Sequence, residues 1–488
     1  MRLSSACSSL HYRSPIPMTP LQLTPKKVAV IGGGAAGLVA ARELRTEGHK
    51  VVVFERGSQL GGTWIYSPEV ESDPLGLDST RKIVHSSLYS SLRTNLPREV
   101  MGYLDFPFVA SGKANRDSRR FPGHEEVLRY LEDFANKFRL HELIRYQTEV
   151  SHVGLEAKGK WKVKSRRNGN DGSEFDETYD AVVVCNGHYT EPRVAEIPGI
   201  ELWPGRQIHS HNYRTPEPFR DQIVVMIGSS ASAVDICRDL ASFAKEVHVA
   251  SRSKPEGEFG KQPGYDNLWL HPMIESAHED GRITFQDGSE VLAQVILHCT
   301  GYKYHFPFLR NIGTINVDDN RVGPLYKHVF PPALAPGISF VGLPWKVIPF
   351  ILCELQSRWI AGTLSGRISL PSEEKMMEDI EAFYSQLDAA GVPKRYTHNI
   401  GDYQFEYDDW LAAVTASPPI EEWRKAMYRA TSLRKRDQPE TYRDEWDDED
   451  WILPAYQDFK QYLPAESIPL VPSSTLSFKN KDSTELAP

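Results

Sequence analysis

Gly32-Gly33-Gly34-Ala35-Ala36-Gly37 has a spacing that can hold a pyrophosphate. Gly32 permits a tight turn, Gly34 lets a phosphate approach bare backbone, and Gly37 lets a helix pack closely on the preceding strand. Gly33, Ala35 and Ala36 complete the loop. A helix starting here presents unsatisfied N–H groups and partial positive charge to the anion. Taken alone, such a string could be a mere turn. Here it follows the apolar run Lys27-Val28-Ala29-Val30-Ile31, and Glu55 stands eighteen residues after Gly37, at the end of the next apolar run. A carboxylate at that place accepts hydrogen bonds from ribose hydroxyls, so the pattern predicts a dinucleotide site.

A second loop, Gly228-Ser229-Ser230-Ala231-Ser232-Ala233, follows Ile223-Val224-Val225-Met226-Ile227. Ser230 puts a hydroxyl where phosphate usually meets backbone; it either weakens the site or adds a donor. The next strand, Val247-His248-Val249-Ala250, ends on no acid but on Ser251, Arg252, Ser253 and Lys254. A guanidinium with hydroxyls suits a 2′-phosphate, which favours NADP(H) over NAD(H). The alternative is a solvated charged loop.

The elements that must position these loops are continuous apolar strands separated by helices, the pattern of parallel strands buried on both faces. The first helix carries Leu38, Ala41 and Leu44 on one face and ends at Gly48, and the second spans Val234 to Ala244. Tyr179 to Gly187 and Val295 to Tyr302 read as further buried strands ending in glycine turns. The fold class is therefore α/β, with two dinucleotide-binding (Rossmann-like) domains, the NADP domain inserted into the FAD domain. The expected limits are a leader over 1–25, a first FAD part over 26–213, the NADP domain over 214–296, a second FAD part with a helical C-terminal region over 297–451, and a tail over 452–488. Proline-rich stretches near Pro192 to Pro204 and Pro216 to Pro218 read as crossings between domains.

A length of 488 residues accommodates two large domains or three ordinary ones, and 40% hydrophobic with 25% charged residues is a globular mixture. The net charge of −9 shows no basic excess, so no nucleic-acid partner is expected. Cys7, Cys185, Cys237, Cys299 and Cys353 lie far apart, with neither a C-x-x-C pair nor a zinc spacing, and no metal site is expected. The most apolar stretch, Phe340 to Leu355, is broken by Pro344, Lys346, Pro349 and Glu354, so no integral membrane segment is expected. Residues 1–42 lack Asp and Glu and carry several Ser and Arg. That composition fits a disordered leader, or a stretch before a start at Met18, with a transit peptide as the alternative. The expected location is cytoplasmic, or an organelle if the leader targets one.

Between the two loops stands Trp203-x-Gly205-x-x-x-His209-x-x-x-Tyr213. It resembles the fingerprint of the flavin-containing monooxygenases, F-x-G-x-x-x-H-x-x-x-(Y/F), with Trp203 in place of Phe. Tyr213-Arg214 departs from the Baeyer–Villiger version. Glu55 followed by Gly61-Gly62-Thr63-Trp64 is similar to the flavoprotein segment that begins to line FAD. Ser91 to Met101 and Asp105-Phe106-Pro107-Phe108 resemble plant members that oxygenate sulfur, the glucosinolate S-oxygenase group. The resemblance implies that Gly62, Thr63, Trp64, Thr94 and Gln356 contact FAD, and that Asn95 is the catalytic amide facing the flavin–oxygen adduct or bound NADP⁺. An Asx turn before Pro97 is the other reading of Asn95. Cys299-Thr300-Gly301-Tyr302 resembles the family's return into the FAD domain, and His209 is expected to connect the domains.

The implied activity is NADPH- and O2-dependent oxygenation of a soft nucleophile through a flavin hydroperoxide. The first choice is a thioether sulfur, such as a methylthioalkyl glucosinolate. Alternatives on the same scaffold are N-oxygenation of an amine, decarboxylation of an indolic keto acid, or a non-catalytic FAD-binding role. The implied cofactors are FAD and NADPH. A disulfide reductase lacks its cysteine pair here, and an amine oxidase would not need the second loop. The acidic segment Arg443 to Trp451 reads as a solvated helix end with two packed rings, ahead of a partner-binding motif.

Overall fold

Two strands and the helix between them place the first glycine loop. A computed structural model describes residues 25–168, 172–252, 256–310, 312–446 and 449–463. The expected leader, Cys7, Ser253, Lys254 and the last part of the expected tail lie outside them. The chain begins with β1 (Lys27–Ile31), α1 (Ala35–Thr46) and β2 (Lys50–Phe54), followed later by β3 (Ile144–Arg145) and β4 (Ala181–Val184). Val28 and Val30 of β1 enter one core while Ala29 and Ile31 enter another, which is why the strand is apolar throughout from Val28 to Ile31.

The second unit is β5 (Arg206–His209), β6 (Ile223–Ile227), α2 (Ala231–Ala241), β7 (Glu246–Ala250), β8 (Leu268–His271) and β9 (Val295–His298). Its central strand again serves two cores, Val224 and Met226 on one side, Val225 and Ile227 on the other. The chain returns as β10 (Ile338–Phe340). The first sheet runs β10-β4-β1-β2-β3, all parallel. The second runs from an antiparallel edge strand at Gly260–Lys261 through β8-β7-β6-β9-β5. A three-stranded antiparallel sheet over residues 148–179 covers the first sheet through Trp161 and Val163.

The strand pairing gives the extent of the inserted sheet. β5 lies before residue 214 and β9 extends past residue 296, yet β9 pairs with both β5 and β6. The inserted sheet therefore spans residues 206–298, because its edge strand must find a hydrogen-bonding neighbour. The two crossings run side by side: Pro192 pairs with Tyr302 and Glu191 with Lys303. α2 starts and ends three residues before its expected place, directly after Ser230, and the chain turns at Phe243 and Ala244, whose amides bond Leu240 O.

Helices close the molecule. α3 (Pro349–Ser365) lies against α1, and Arg42 reaches Glu354 at 2.8 Å. The expected tail is partly helix. After α4 (Glu422–Asp437) comes α5 (Glu449–Phe459), whose Phe459 meets the Trp423 ring at 5.5 Å. Asp458 accepts the Trp423 indole N–H at 2.6 Å. Burying Ala455 and Phe459 orders a segment that looked like free chain.

Candidate functional site: two glycine loops and their junction

The first loop is shaped by what side chains could not fit. Gly32 has φ +109°, and a Cβ there would lie 2.4 Å from Cys185 O. A Cβ at Gly37 would lie 1.8 Å from Gly32 O. Gly34 begins α1 with extended backbone and no side-chain cap, so the first-turn N–H groups have no capping side chain. Gly61 N donates to Gly33 O at 3.0 Å, and a Cβ at Gly62 (φ +57°) would come 2.9 Å from Gly34 Cα. The two glycine segments thus leave bare backbone facing bare backbone. Glu55 Oε2 accepts Gly33 N at 2.8 Å and Oε1 accepts Gly57 N at 2.6 Å. Each oxygen keeps a lone pair, and the carboxylate is fixed beside the loop. Ala35, Ala36 and Thr63 stay partly exposed along this groove, and Trp64 meets Phe350 edge-on at 6.5 Å.

The second loop repeats the device. Gly228 has φ +110°, and a Cβ there would lie 2.5 Å from Cys299 O, as Gly32 faces Cys185 O. Ser230 precedes α2 as an exposed residue whose side chain does not cap the helix, so its hydroxyl faces solvent at the helix N-terminus. Ala231 and Ser232 are exposed and Ala233 is buried. Arg252 is exposed at the strand end. Ser251 is buried, and its hydroxyl lies 2.7 Å from that of Ser229. It sets the loop's shape from beneath.

Two more residues expected at the FAD site lie inside the chain. Gln356 is fully buried, taking Gly342 N at 2.9 Å on its oxygen and giving its amide to Tyr407 OH at 3.1 Å. It braces the turn at Gly342. Thr94 is buried and donates to Leu96 O at 2.8 Å, closing the turn that carries Asn95. Asn95 itself is exposed, with no hydrogen-bond partner among the described residues, so its amide forms no Asx turn.

The fingerprint residues hold the crossing. His209 is fully buried, its Nε2 lies 3.0 Å from Gly301 O, and its Nδ1 accepts His211 N at 3.0 Å. Burial, with neighbouring His211 and His298, pushes its pKa down to about 3, so the ring is neutral, and both its nitrogens are engaged within the crossing. Trp203 donates to Gly281 O at 3.1 Å, and a Cβ at Gly205 would collide with its ring at 2.1 Å. Tyr213 donates to Asp239 of α2 at 2.6 Å. Cys185, Cys237, Cys299 and Cys353 are buried free thiols.

The loops join at contacts that sequence reasoning did not assign. Arg443 Nε donates to Thr94 O at 3.0 Å and its Nη2 to Asp235 of α2 at 2.7 Å. Tyr89 donates to the same Asp235 oxygen at 3.0 Å. The only signal was the interleaving of charge and tryptophan in the segment beginning at Arg443.

The flavin-binding monooxygenase-like family model matches residues 25–256 and 266–424. The chain belongs to that family. It is 62% identical over 440 residues to flavin-containing monooxygenase FMO GS-OX-like 4 of Arabidopsis thaliana, covering 89% of this chain and 97% of that protein. It is 60% identical to FMO GS-OX5 of the same plant, over 91% of this chain and 96% of the relative. Among solved structures, S-allyl-L-cysteine S-oxygenase from Allium sativum superposes with a TM-score of 0.88 at 63% identity, covering 90% of this chain and 100% of that one. This flavin-binding monooxygenase is an oxidoreductase that uses FAD and NADPH. The two cradles described above fit two dinucleotides: each pairs a glycine turn of positive φ, where no side chain could sit, with an uncapped helix start. Among the described residues no helix is long and apolar enough to cross a membrane.

Proposed function

We propose that this monooxygenase transfers one oxygen atom of O2 to the sulfur of a small thioether, giving a sulfoxide. The observation that carries the reading is the likeness to S-allyl-L-cysteine S-oxygenase over the whole length of that chain. The substrate class is a thioether on a small polar carrier, either an S-alkyl amino acid or a methylthioalkyl compound.

Gly32, Gly33, Gly34, Ala35, Ala36, Gly37 and Gly62 would hold the FAD pyrophosphate, and Glu55 its ribose. Gly228 to Ala233, with Arg252, would hold NADPH. Bound FAD, reduced by NADPH, supplies the electrons and the site at which O2 is activated. The chain's own residues bind, orient and exclude water. Asn95 presents an unclaimed amide, a donor and an acceptor, at a turn fixed by Thr94 and Arg443. The proposed step calls for no acid, base or nucleophile from a side chain, since the sulfur lone pair attacks without losing a proton.

The purified protein should be yellow and should bleach with NADPH when oxygen is absent. In air, NADPH consumption should rise with S-alkyl cysteines or methylthioalkyl compounds, with a product one oxygen heavier. Consumption raised only by amines or indolic keto acids would favour those alternatives. Flavin that NADPH cannot bleach would point to a non-catalytic scaffold.

A further inference from the structure

The inserted NADP unit is tied to the Asn95 loop by a piece of chain from the far end of the sequence. Between α4 and α5, residues 438–446 cross the junction and touch both sides. On the inserted side, Arg238 of α2 donates to Pro439 O at 2.9 Å and pairs with Glu440 at 2.9 Å, and Tyr265 donates to Glu440 at 2.7 Å. On the other side, Arg93 holds Asp444 through two bonds, 3.0 and 2.7 Å. Trp446 lies on Phe121 at 5.4 Å, with Arg120 and Arg434 over its ring.

Arg443 hydrogen-bonds both sides with one side chain. Its guanidinium bonds Thr94 O, the carbonyl directly before Asn95, and Asp235, one turn into the helix that starts at the second glycine loop. Arg443 and Asp235 are 15% and 16% exposed, so the pair is shielded from solvent screening. Surfaces between domains of one chain ordinarily slide, because they are polar and modest in area. A planar guanidinium with donors on two edges resists such sliding in a way that a point charge cannot.

We propose that Arg443 is a positioning residue, and that residues 438–446 form a strap fixing the dinucleotide loop at 228–233 against the amide of Asn95. This rests on the reading that those two elements hold NADPH and face the reacting centre. The strap keeps the nicotinamide end of the bound nucleotide and the Asn95 amide in one geometry while water is kept out. Loosening it lets the reducing equivalents of NADPH end as hydrogen peroxide in place of sulfoxide: two electrons and two protons still reach O2, but no oxygen atom passes to sulfur.

The test compares holoenzyme carrying Arg443→Ala, Arg443→Lys or Asp235→Asn. FAD content reports folding. The rate of anaerobic bleaching by NADPH, and the share of consumed NADPH recovered as sulfoxide, report positioning. Both Arg443 variants should keep FAD. Arg443→Ala should lower the coupled share roughly tenfold, and Arg443→Lys should restore it only in part. Adding Asp235→Asn to Arg443→Ala should cost little more, since both remove one contact. Should Arg443→Ala fail to fold, Arg443→Lys and Asp235→Asn carry the comparison. Wild-type bleaching and coupling in the folded variants, or simply additive losses, would overturn the proposal. If the wild-type enzyme oxidises no thioether, the reading of the preceding section fails instead. The strap is then judged by hydrogen exchange. Exchange at residues 92–96 and in α2 should rise together in Arg443→Ala, and unchanged exchange would dispose of the strap.

Discussion

A methyl group added at Gly34 would lie 3.4 Å from Gly62 Cα, an ordinary contact, whereas one at Gly37 would lie 1.8 Å from Gly32 O. The two substitutions therefore part company. Gly34→Ala should fold with a melting temperature near wild type yet purify colourless, because its methyl occupies the approach of the pyrophosphate. Gly37→Ala should fail to give soluble protein. A yellow Gly34→Ala enzyme would remove the assignment of that loop. Asn95→Ala offers a third outcome: the side chain has no protein partner among the described residues, so thermal stability should not change, while sulfoxide formed per NADPH should fall roughly tenfold. Equal coupling in wild type and variant would take Asn95 out of the site. At this scale the glycines were legible in the sequence because their constraint is local. The hydrogen-bond partners of Ser251, Thr94 and Gln356 were not, because the direction of a hydroxyl or amide is set by Ser229, Leu96 O and Tyr407, which only the folded chain brings near.

The apolar contact of α1 with α3 is joined by an ionic cluster built on buried Arg42 and Glu354. Glu354 accepts Arg42 Nη2 at 2.8 Å and Leu104 N at 2.7 Å, and it pairs with Arg358. Arg42 also pairs with Asp105. Removing one partner of a buried pair strands the other, at a cost of about 3–5 kcal/mol. Glu354→Ala should lower the urea midpoint accordingly and release FAD early, since α1 begins at the first glycine loop. Replacing Glu354 without a change in midpoint would show the cluster to be dispensable. Among elements, the doubly buried strands announced themselves by unbroken apolar runs. The antiparallel sheet over 148–179 did not, because strands such as Trp161–Arg167 bury one face and carry lysine and arginine on the other. α5 was hidden by Pro454 within it and by the polar stretch before it.

Five buried histidines spread over both units stay neutral in the folded protein. Burial pushes His188, His271, His298 and His328 down to about 4, aided at His271 by His248 and at His328 by Lys327, and it pushes His209 to about 3. Because the unfolded chain protonates near pH 6.5 and the folded chain only near 4, their contribution is complete above pH 6.5. It is lost as pH falls toward 4, at up to about 1.4 kcal/mol per pH unit for each. The unfolding midpoint should therefore drop steadily between pH 6.5 and 4.5; a flat profile there would contradict neutral burial.

The adjacent crossings at Glu191–Pro192 and Tyr302–Lys303 bear on how such a molecule can be rebuilt. The chain leaves the first unit and comes back to it at hydrogen-bonded neighbours, so everything between is a cassette whose two ends meet at one port. A short linker from Pro192 to Tyr302 closes the gap without stretching the first sheet, and a foreign nucleotide-binding unit with the same port spacing can be spliced in its place. On the proposed reading of residues 228–233, the reductant preference would travel with that block, and what must be refitted around a new block is the face that Arg443 and Glu440 grip.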